Sequence, residues 1–452
     1  MTIVHRKYDD SVLADVSDTL IEELPLLEKS ARSAVDTLSA MHEDDLSEIM
    51  FRASKIMDSE KNQIAGILSG ESGKPIRFAE NEVEQVAHML QTLGEIISDP
   101  YYYVGEKRWP GTMTGIFSRN PLGVVFGITS FTDPLLNAAG ITLPALSTGN
   151  PVLLKPSSKS PLSALKLRDI LHRSGIPDNI MQVVIGNRDS PVIKSLLKSR
   201  YTDVVSFYGS VDSAHTLKQH LSAKTFVPHI GGGCVSIVWK DADLDIAGKR
   251  IAESSFQSQG QNAYRAQRII VHPDSFEYLT GRLKEEVSQM ITGDPADNNT
   301  DIAPLATPEY TQMFVSLIRM MFDHGDRLLE GGKIDGKLAQ PTIIDVSTPE
   351  SPAWKDDIMA PVISLISSDS IDSSIDLANR IGVRNIASVF TSSINTSFYY
   401  FKKLRFKEVV VNDSPDFRDR PDHRKKSSLH YRDKKIYDLL DEFSATKSMT
   451  IR

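Results

Sequence analysis

Cysteine is almost missing from this chain: its 452 residues include one, Cys234. A lone thiol excludes an intrachain disulfide and any multi-thiolate zinc site, and it suits a reducing compartment. Basic residues are in deficit as well, 51 Lys plus Arg against 59 Asp plus Glu for a net charge of −8. That balance disfavours nucleic acid or an anionic membrane surface as a partner. Long apolar runs are also wanting. Residues 135–146 are interrupted by Asn, Gly, Thr and Pro, and the opening MTIVHRKYDD has no apolar segment of the signal-peptide kind. The expectation is a cytoplasmic protein with no membrane span, whose partners are small molecules or other subunits.

What is present is length and periodicity. A chain of 452 residues exceeds what one core can serve, so two large domains with appendages are expected. Leu46, Ile49, Met50, Ala53, Ile56 and Met57 recur at helical spacing, as do Val83, Val86, Ala87, Leu90 and Leu93 beyond a break at 70–75. The break, in SGESGKPIRFAENEV at 69–83, reads as a turn that sets how two helices meet. The aromatic-rich stretch 101–118, bounded by Pro100 and broken by Pro110-Gly111, reads as a hairpin. From Gly123 onward, GVVFGI, PVLLK, IMQVVIG and VVSFYG alternate with helical stretches at 134–147, 161–174, 191–197 and 213–221, the pattern of a parallel, doubly wound sheet. After 229–238 the alternation starts again, with IIVH, helices at 275–290 and 308–324, then PTIIDV, PVISLIS, IASVF and EVVVN, which makes a second α/β lobe. The charged stretch 416–435 reads as a solvated loop, and the final TKSMTIR as a terminal strand.

Several segments together resemble the aldehyde dehydrogenase superfamily: PLGVVFGI, the block 144–157 (PALSTGNPVLLKPS), GGKIDGKLAQPTIIDV and ANRIGVRNIASVFTSS, in family order from end to end. The resemblance implies an α/β fold with a Rossmann-type dinucleotide-binding lobe (1–99 and 119–229), a catalytic-type lobe (230–435), and an oligomerisation arm with a terminal strand (100–118 and 436–452) that builds a homodimer or homotetramer. It also implies NAD or NADP as cofactor. Lys155 corresponds to the lysine that contacts the adenosine ribose. Ser158 stands where NAD-preferring members carry a glutamate for the 2′-hydroxyl, which opens the site to a 2′-phosphate or weakens it. Gly209 and Ser210 end a strand and open a helix, placing backbone N–H groups for a pyrophosphate, although a turn glycine with an N-cap serine fits equally well. Asp357 in DDIMAPV takes the place of the glutamate that orients the nicotinamide ribose, one methylene shorter.

At the catalytic positions the side chains differ from the family. FQSQGQNAYRAQR at 256–268 resembles the GQxC signature, with Ala263 in place of the cysteine nucleophile. His229, in HIGGGC, replaces the glutamate base, and Thr132, in TSFTDPL, replaces the amide that stabilises the oxyanion. A methyl group forms no thiohemiacetal, so the thiol route is closed at Ala263. Cys234 reads as a buried, inert thiol. After DFRDRPDH, a family segment rich in glycine is replaced by RKKSSLHYRDKK, with Arg424, Lys425 and Lys426 reshaping the mouth. The resulting expectation is a dinucleotide-binding pseudoenzyme. Three alternatives stand beside it: a non-catalytic subunit that assembles with itself or with an active paralogue, an engineered Cys→Ala form of a working dehydrogenase, and an enzyme that uses His229 as base in carbonyl reduction or ester hydrolysis. The engineered form explains Ala263 alone, whereas divergence explains His229, Thr132, Ser158 and the tail as well.

Overall fold

The computed structural model describes residues 1–99, 104–108, 114–221, 224–417 and 429–451. A five-stranded, all-parallel sheet runs in the order Met181–Val183, Val152–Lys155, Val125–Ile128, Val204–Gly209, Thr225–Ile230. Its three central strands begin or run as unbroken apolar stretches because helices cover both faces and leave neither to water. One face packs on the helices Glu43–Ser59, Ile76–Ile97, Pro134–Ser147 and Leu162–Ser174, and the other on Pro191–Lys198 and Val211–His220.

The second lobe holds seven strands in the order Arg327–Glu330, Thr342–Asp345, Val362–Ser367, Arg268–Val271, Val235–Val238, Ile386–Phe390, Glu408–Val411. All of its pairings are parallel except the first, where Arg327–Glu330 runs antiparallel at the edge. Cores on its two faces contain Phe314, Trp354 and Tyr400 on one side and Phe256, Leu279 and Phe390 on the other. Among the described residues no helix is long and apolar enough to cross a membrane.

A third, small sheet joins Val104–Arg108 and Thr114–Pro121 to the terminal strand Ser444–Ile451, all antiparallel. The hairpin expected at 101–118 therefore extends to Pro121, with its tip outside the described residues.

The solvated loop expected at 416–435 needs correction at both ends. Asp416 is buried, and the helix Leu429–Glu442 already includes the last seven residues of that stretch. The cause is apolar spacing just downstream: Ile436, Leu440 and Phe443 recur every three to four residues and dock into the first lobe's core, where Asn150 Nδ2 donates to the Phe443 carbonyl at 2.8 Å. Arg424, Lys425 and Lys426 lie outside the described residues.

Candidate functional site

A cavity of ≈1190 Å³ separates the two lobes, and Thr132, Lys155, Ser158, Gly209, Ser210, His229, Ala263 and Asp357 all line it. Topology accounts for the convergence. Lys155 and Gly209 are the last residues of their strands, and His229 is next to last in its own. Ala263 and Asp357 sit on loops that enter the second sheet at Arg268 and Val362. The cavity thus lies at the carboxyl ends of the first sheet, where parallel α/β sheets bind ligands.

At one end stands Lys155, 8% exposed, its ammonium pushed down to about 8 by burial. Burial is its only perturbing influence: no carboxylate offsets it. An ammonium held this way gains from any acceptor that enters the cavity. Ser158 is half-buried nearby in sequence, and Arg188 lines the same cavity. Ser210 caps the helix Val211–His220, its Oγ accepting from Ser213 N at 3.3 Å.

At the other end several charged groups have partners within the protein. Asp357 accepts from Arg268 Nη1 at 2.8 Å, and the buried Arg268 also donates to the carbonyls of Trp354 and Lys355. Gly232 makes room for this carboxylate: a Cβ there would strike Asp357 Oδ2. His229 stacks on Tyr208 at 4.2 Å between ring centroids, and its Nε2 faces Glu442 Oε2 at 3.4 Å, an ion-pair contact rather than a formed hydrogen bond. The Thr132 hydroxyl lies 2.8 Å from Ser130 Oγ, and Asn137 Nδ2 donates to both Ser130 Oγ and the Thr132 carbonyl.

Ala263 follows a tightly wound turn. Ser258 and Gln259 adopt left-handed conformations (φ 49° and 48°), Gly260 continues at φ 71°, and a Cβ on Gly260 would strike the Ala360 carbonyl. Non-glycine residues held this way cost about 1–3 kcal/mol each. The turn is fixed from outside, with Gln259 Nε2 donating to the Gly73 and Pro304 carbonyls. Beyond it, Gly232 N donates to the Ala263 carbonyl at 2.7 Å, and a Cβ on Gly231 would come within 2.7 Å of the Ala263 Cβ. Cys234, the sole thiol, is buried behind this loop and pushed up to about 12 by burial. No His, Cys, Asp and Glu cluster of metal-binding form occurs among the described residues.

Several site residues escaped sequence reasoning. The segment read as a turn contains Glu71, which caps the helix Leu162–Ser174 through the N–H groups of Leu162 and Ser163. It also contains the cavity-lining Lys74, buried between Glu82 and Asp133. Burial works against the Lys74 charge, but Asp133 and Glu82 outweigh it and raise its pKa. Glu82 in turn accepts from the N–H groups of Leu135 and Leu136 at 2.9 Å, so one ion triad fixes the loop that carries Thr132. Glu442 was hidden because 436–452 read as arm and terminal strand, whereas the helix Leu429–Glu442 runs into it; the apolar spacing from Ile436 to Phe443 was the available signal. A site of this shape can bind an extended polar ligand, but it presents no thiol.

The sequence model of the aldehyde dehydrogenase family matches residues 2–449. The aspartate-semialdehyde dehydrogenase 1 of Pseudomonas canavaninivorans is 29% identical over 91% of this chain and 88% of its own length. The 3-sulfolactaldehyde dehydrogenase of Priestia aryabhattai is 27% identical over 92% and 87%. Among solved structures, the glyceraldehyde-3-phosphate dehydrogenase GapN of Methanocaldococcus jannaschii, complexed with NADP, superposes with a TM-score of 0.92 at 25% identity, covering 100% of this chain and 99% of that one.

Proposed function

This chain belongs to the aldehyde dehydrogenase family, and on that premise we propose that it binds a nicotinamide dinucleotide in the inter-lobe cavity without thiol-dependent oxidation of an aldehyde. The observation that carries the reading is the contrast within one cavity between an unneutralised Lys155 and a nucleophile position filled by Ala263. The residues suit such a ligand: Lys155 offers a cation to ribose hydroxyls or phosphates, Ser158 leaves space beside it, and the helix opened by Ser210 points its N-terminus at the cavity. When bound, the dinucleotide supplies a hydride acceptor. What the chain itself supplies is anchorage at Lys155 and a fixed loop around Ala263.

Ser158 in place of an acidic residue, with Arg188 on the same cavity, favours NADP over NAD. The NADP complex of the similar GapN structure supports that choice. Titration with NADP+ and NAD+ by calorimetry tests the reading, with binding to at least one and tighter binding of NADP+ expected. Aldehyde oxidation stays at background over a panel that includes aspartate semialdehyde and 3-sulfolactaldehyde. Turnover by the chain as it stands overturns the proposal.

A second reading, a subunit that assembles with its own copies, is favoured by the terminal strand Ser444–Ile451. It presents Met449 and Ile451 about half exposed on an edge with no strand beyond it among the described residues. Light scattering should give a dimer or tetramer, and deletion of 444–451 should give monomer.

A further inference from the structure

On the second lobe, away from the inter-lobe cavity, the helix Ile394–Lys403 is apolar on two faces. Its inner face carries the buried Ser397 and Tyr400, with the Tyr400 hydroxyl 2.8 Å from Ser374 Oγ on the helix Ile371–Asn379. Ser393 caps its start, accepting from Thr396 N at 3.2 Å. The outer face carries Ile394, Phe398 and Phe401, which are 67%, 57% and 62% exposed. Spacings of four and then three residues set them in one row about 10 Å long, so they form a patch and not three scattered side chains. Charge collects at one end of the row. Residues 394–407 contain four cations, Lys402, Lys403, Arg405 and Lys407, and no acid, in a chain whose net charge is −8. All four are exposed. Arg405 N and Asn379 Oδ1 are joined at 2.8 Å, and Arg384 Nη1 donates to the Asn379 carbonyl at 3.0 Å, which brings Arg380 and Arg384 to the same end. Residues 371–411 thus hold six cations against three acids, Asp372, Asp376 and Glu408. Asp372 is engaged by the Tyr399 hydroxyl at 2.9 Å.

We propose that this face docks on an anionic lipid surface, with Ile394, Phe398 and Phe401 entering the interfacial layer and Lys402, Lys403 and Arg405 meeting headgroup phosphates. The two parts of the patch ask for two properties in one partner. The protruding apolar side chains need an apolar medium, which a nucleic-acid backbone lacks, and the cations at their border need a dense array of anions, which an apolar protein groove lacks. A bilayer rich in acidic headgroups supplies both. The net charge of −8 does not oppose this, because at physiological salt charges beyond a Debye length of about 8 Å are screened and the local patch decides. The expectation that charge balance disfavours such a surface therefore describes the chain as a whole and gives way at this helix. Docking of this kind is weak and reversible, since three side chains and a few cations bury far less than a membrane anchor does.

The test uses the full chain with vesicles of phosphatidylcholine, either alone or with about one-third phosphatidylglycerol, read by co-sedimentation, and light scattering of the protein by itself. The expected result is binding to the anionic vesicles about tenfold or more above the neutral ones, falling about fivefold or more as salt rises from about 0.1 M to about 0.5 M. Phe398→Ser with Phe401→Ser, and separately Lys402→Gln with Lys403→Gln, should each weaken it by about tenfold or more. These positions are exposed, so the thermal midpoints and NADP+ titrations of both variants should match the parent's, which separates this surface from the dinucleotide reading. Binding no stronger to anionic than to neutral vesicles overturns the proposal, as does binding that either double variant leaves unchanged. A larger species of the parent alone that the Phe398→Ser, Phe401→Ser variant disperses, without vesicle binding, assigns the face to a second copy of the chain and overturns it as well.

Discussion

The two ends of the inter-lobe cavity treat charge in opposite ways. At the Lys155 end a buried ammonium stands without a counter-charge, its pKa lowered by burial alone. At the Ala263 end several charged groups meet others from the chain: Asp357 meets Arg268, His229 meets Glu442, and Lys74 meets Glu82 and Asp133. An unpaired buried cation is a cost that a ligand removes, whereas a paired one is already satisfied. The contrast teaches that the first end leaves a buried cation for a ligand to satisfy, while charges at the second end are bound into the scaffold around Ala263.

The largest effect should come from cutting the scaffold at the second end. Lys74→Met leaves the buried Glu82 and the half-buried Asp133 without their cation, and a cost of about 3–5 kcal/mol is expected, read as a lower denaturant midpoint. A change below ~1 kcal/mol would mean that the triad is not holding the Thr132 loop.

Next in size is the first end. Lys155→Met should weaken NADP+ binding by about tenfold or more, since a charge-assisted contact contributes about 1.5–3 kcal/mol. The same variant should melt no lower than the parent when ligand is absent, because it removes an uncompensated charge. The pH dependence follows from the sign of the shift. The folded-state value of about 8 lies below the ordinary 10.5, so between them the unfolded chain binds the extra proton. Stability is therefore reduced at pH 7 and recovers as pH rises through 8 toward 10.5. Affinity for the anionic ligand moves the other way, weakening above about pH 8 as the free protein loses the ammonium. Calorimetry at pH 7 and pH 9 checks this, and Lys155→Met should flatten the difference.

Ala263→Cys sharpens the comparison further. A thiol there shares the cavity with His229 instead of the family glutamate, and Thr132 is tied to Ser130, so aldehyde oxidation should remain below about one hundredth of a working relative's. Full restoration would show that only the nucleophile had been lost. The smallest effect belongs to Cys234→Ser. Its thiol is buried and held far from ionisation, so dinucleotide binding should persist, with a stability loss of about 1 kcal/mol.

Much of the fold was legible before any coordinates. The helix at 134–147 and the strands at 125–128, 152–155 and 204–209 fall where apolar runs and turn residues put them, because parallel strands buried on both faces write themselves as unbroken apolar stretches. The eight candidate site residues were named from local motifs, and the structure brings all eight to one cavity. Their partners were not legible. Glu442 lies 213 positions from His229, 442 less 229, and Arg268 lies 89 from Asp357. Neither pair has a local pattern, and the charged residues before Glu442 disguised a helix as a loop.

The sequence by itself determined the class of the fold, the order of its two lobes and the absence of a thiol at position 263, since these depend on periodicity and residue identity. Only the tertiary structure decided which charges are spent on one another and which remain for a ligand. Lys155 and Lys74 are both buried lysines near a turn or strand end. One is left without a carboxylate and the other sits between two. That difference arises from contacts across sheets and helices, where the cost of an unpaired buried charge depends on what the fold brings within a few ångströms.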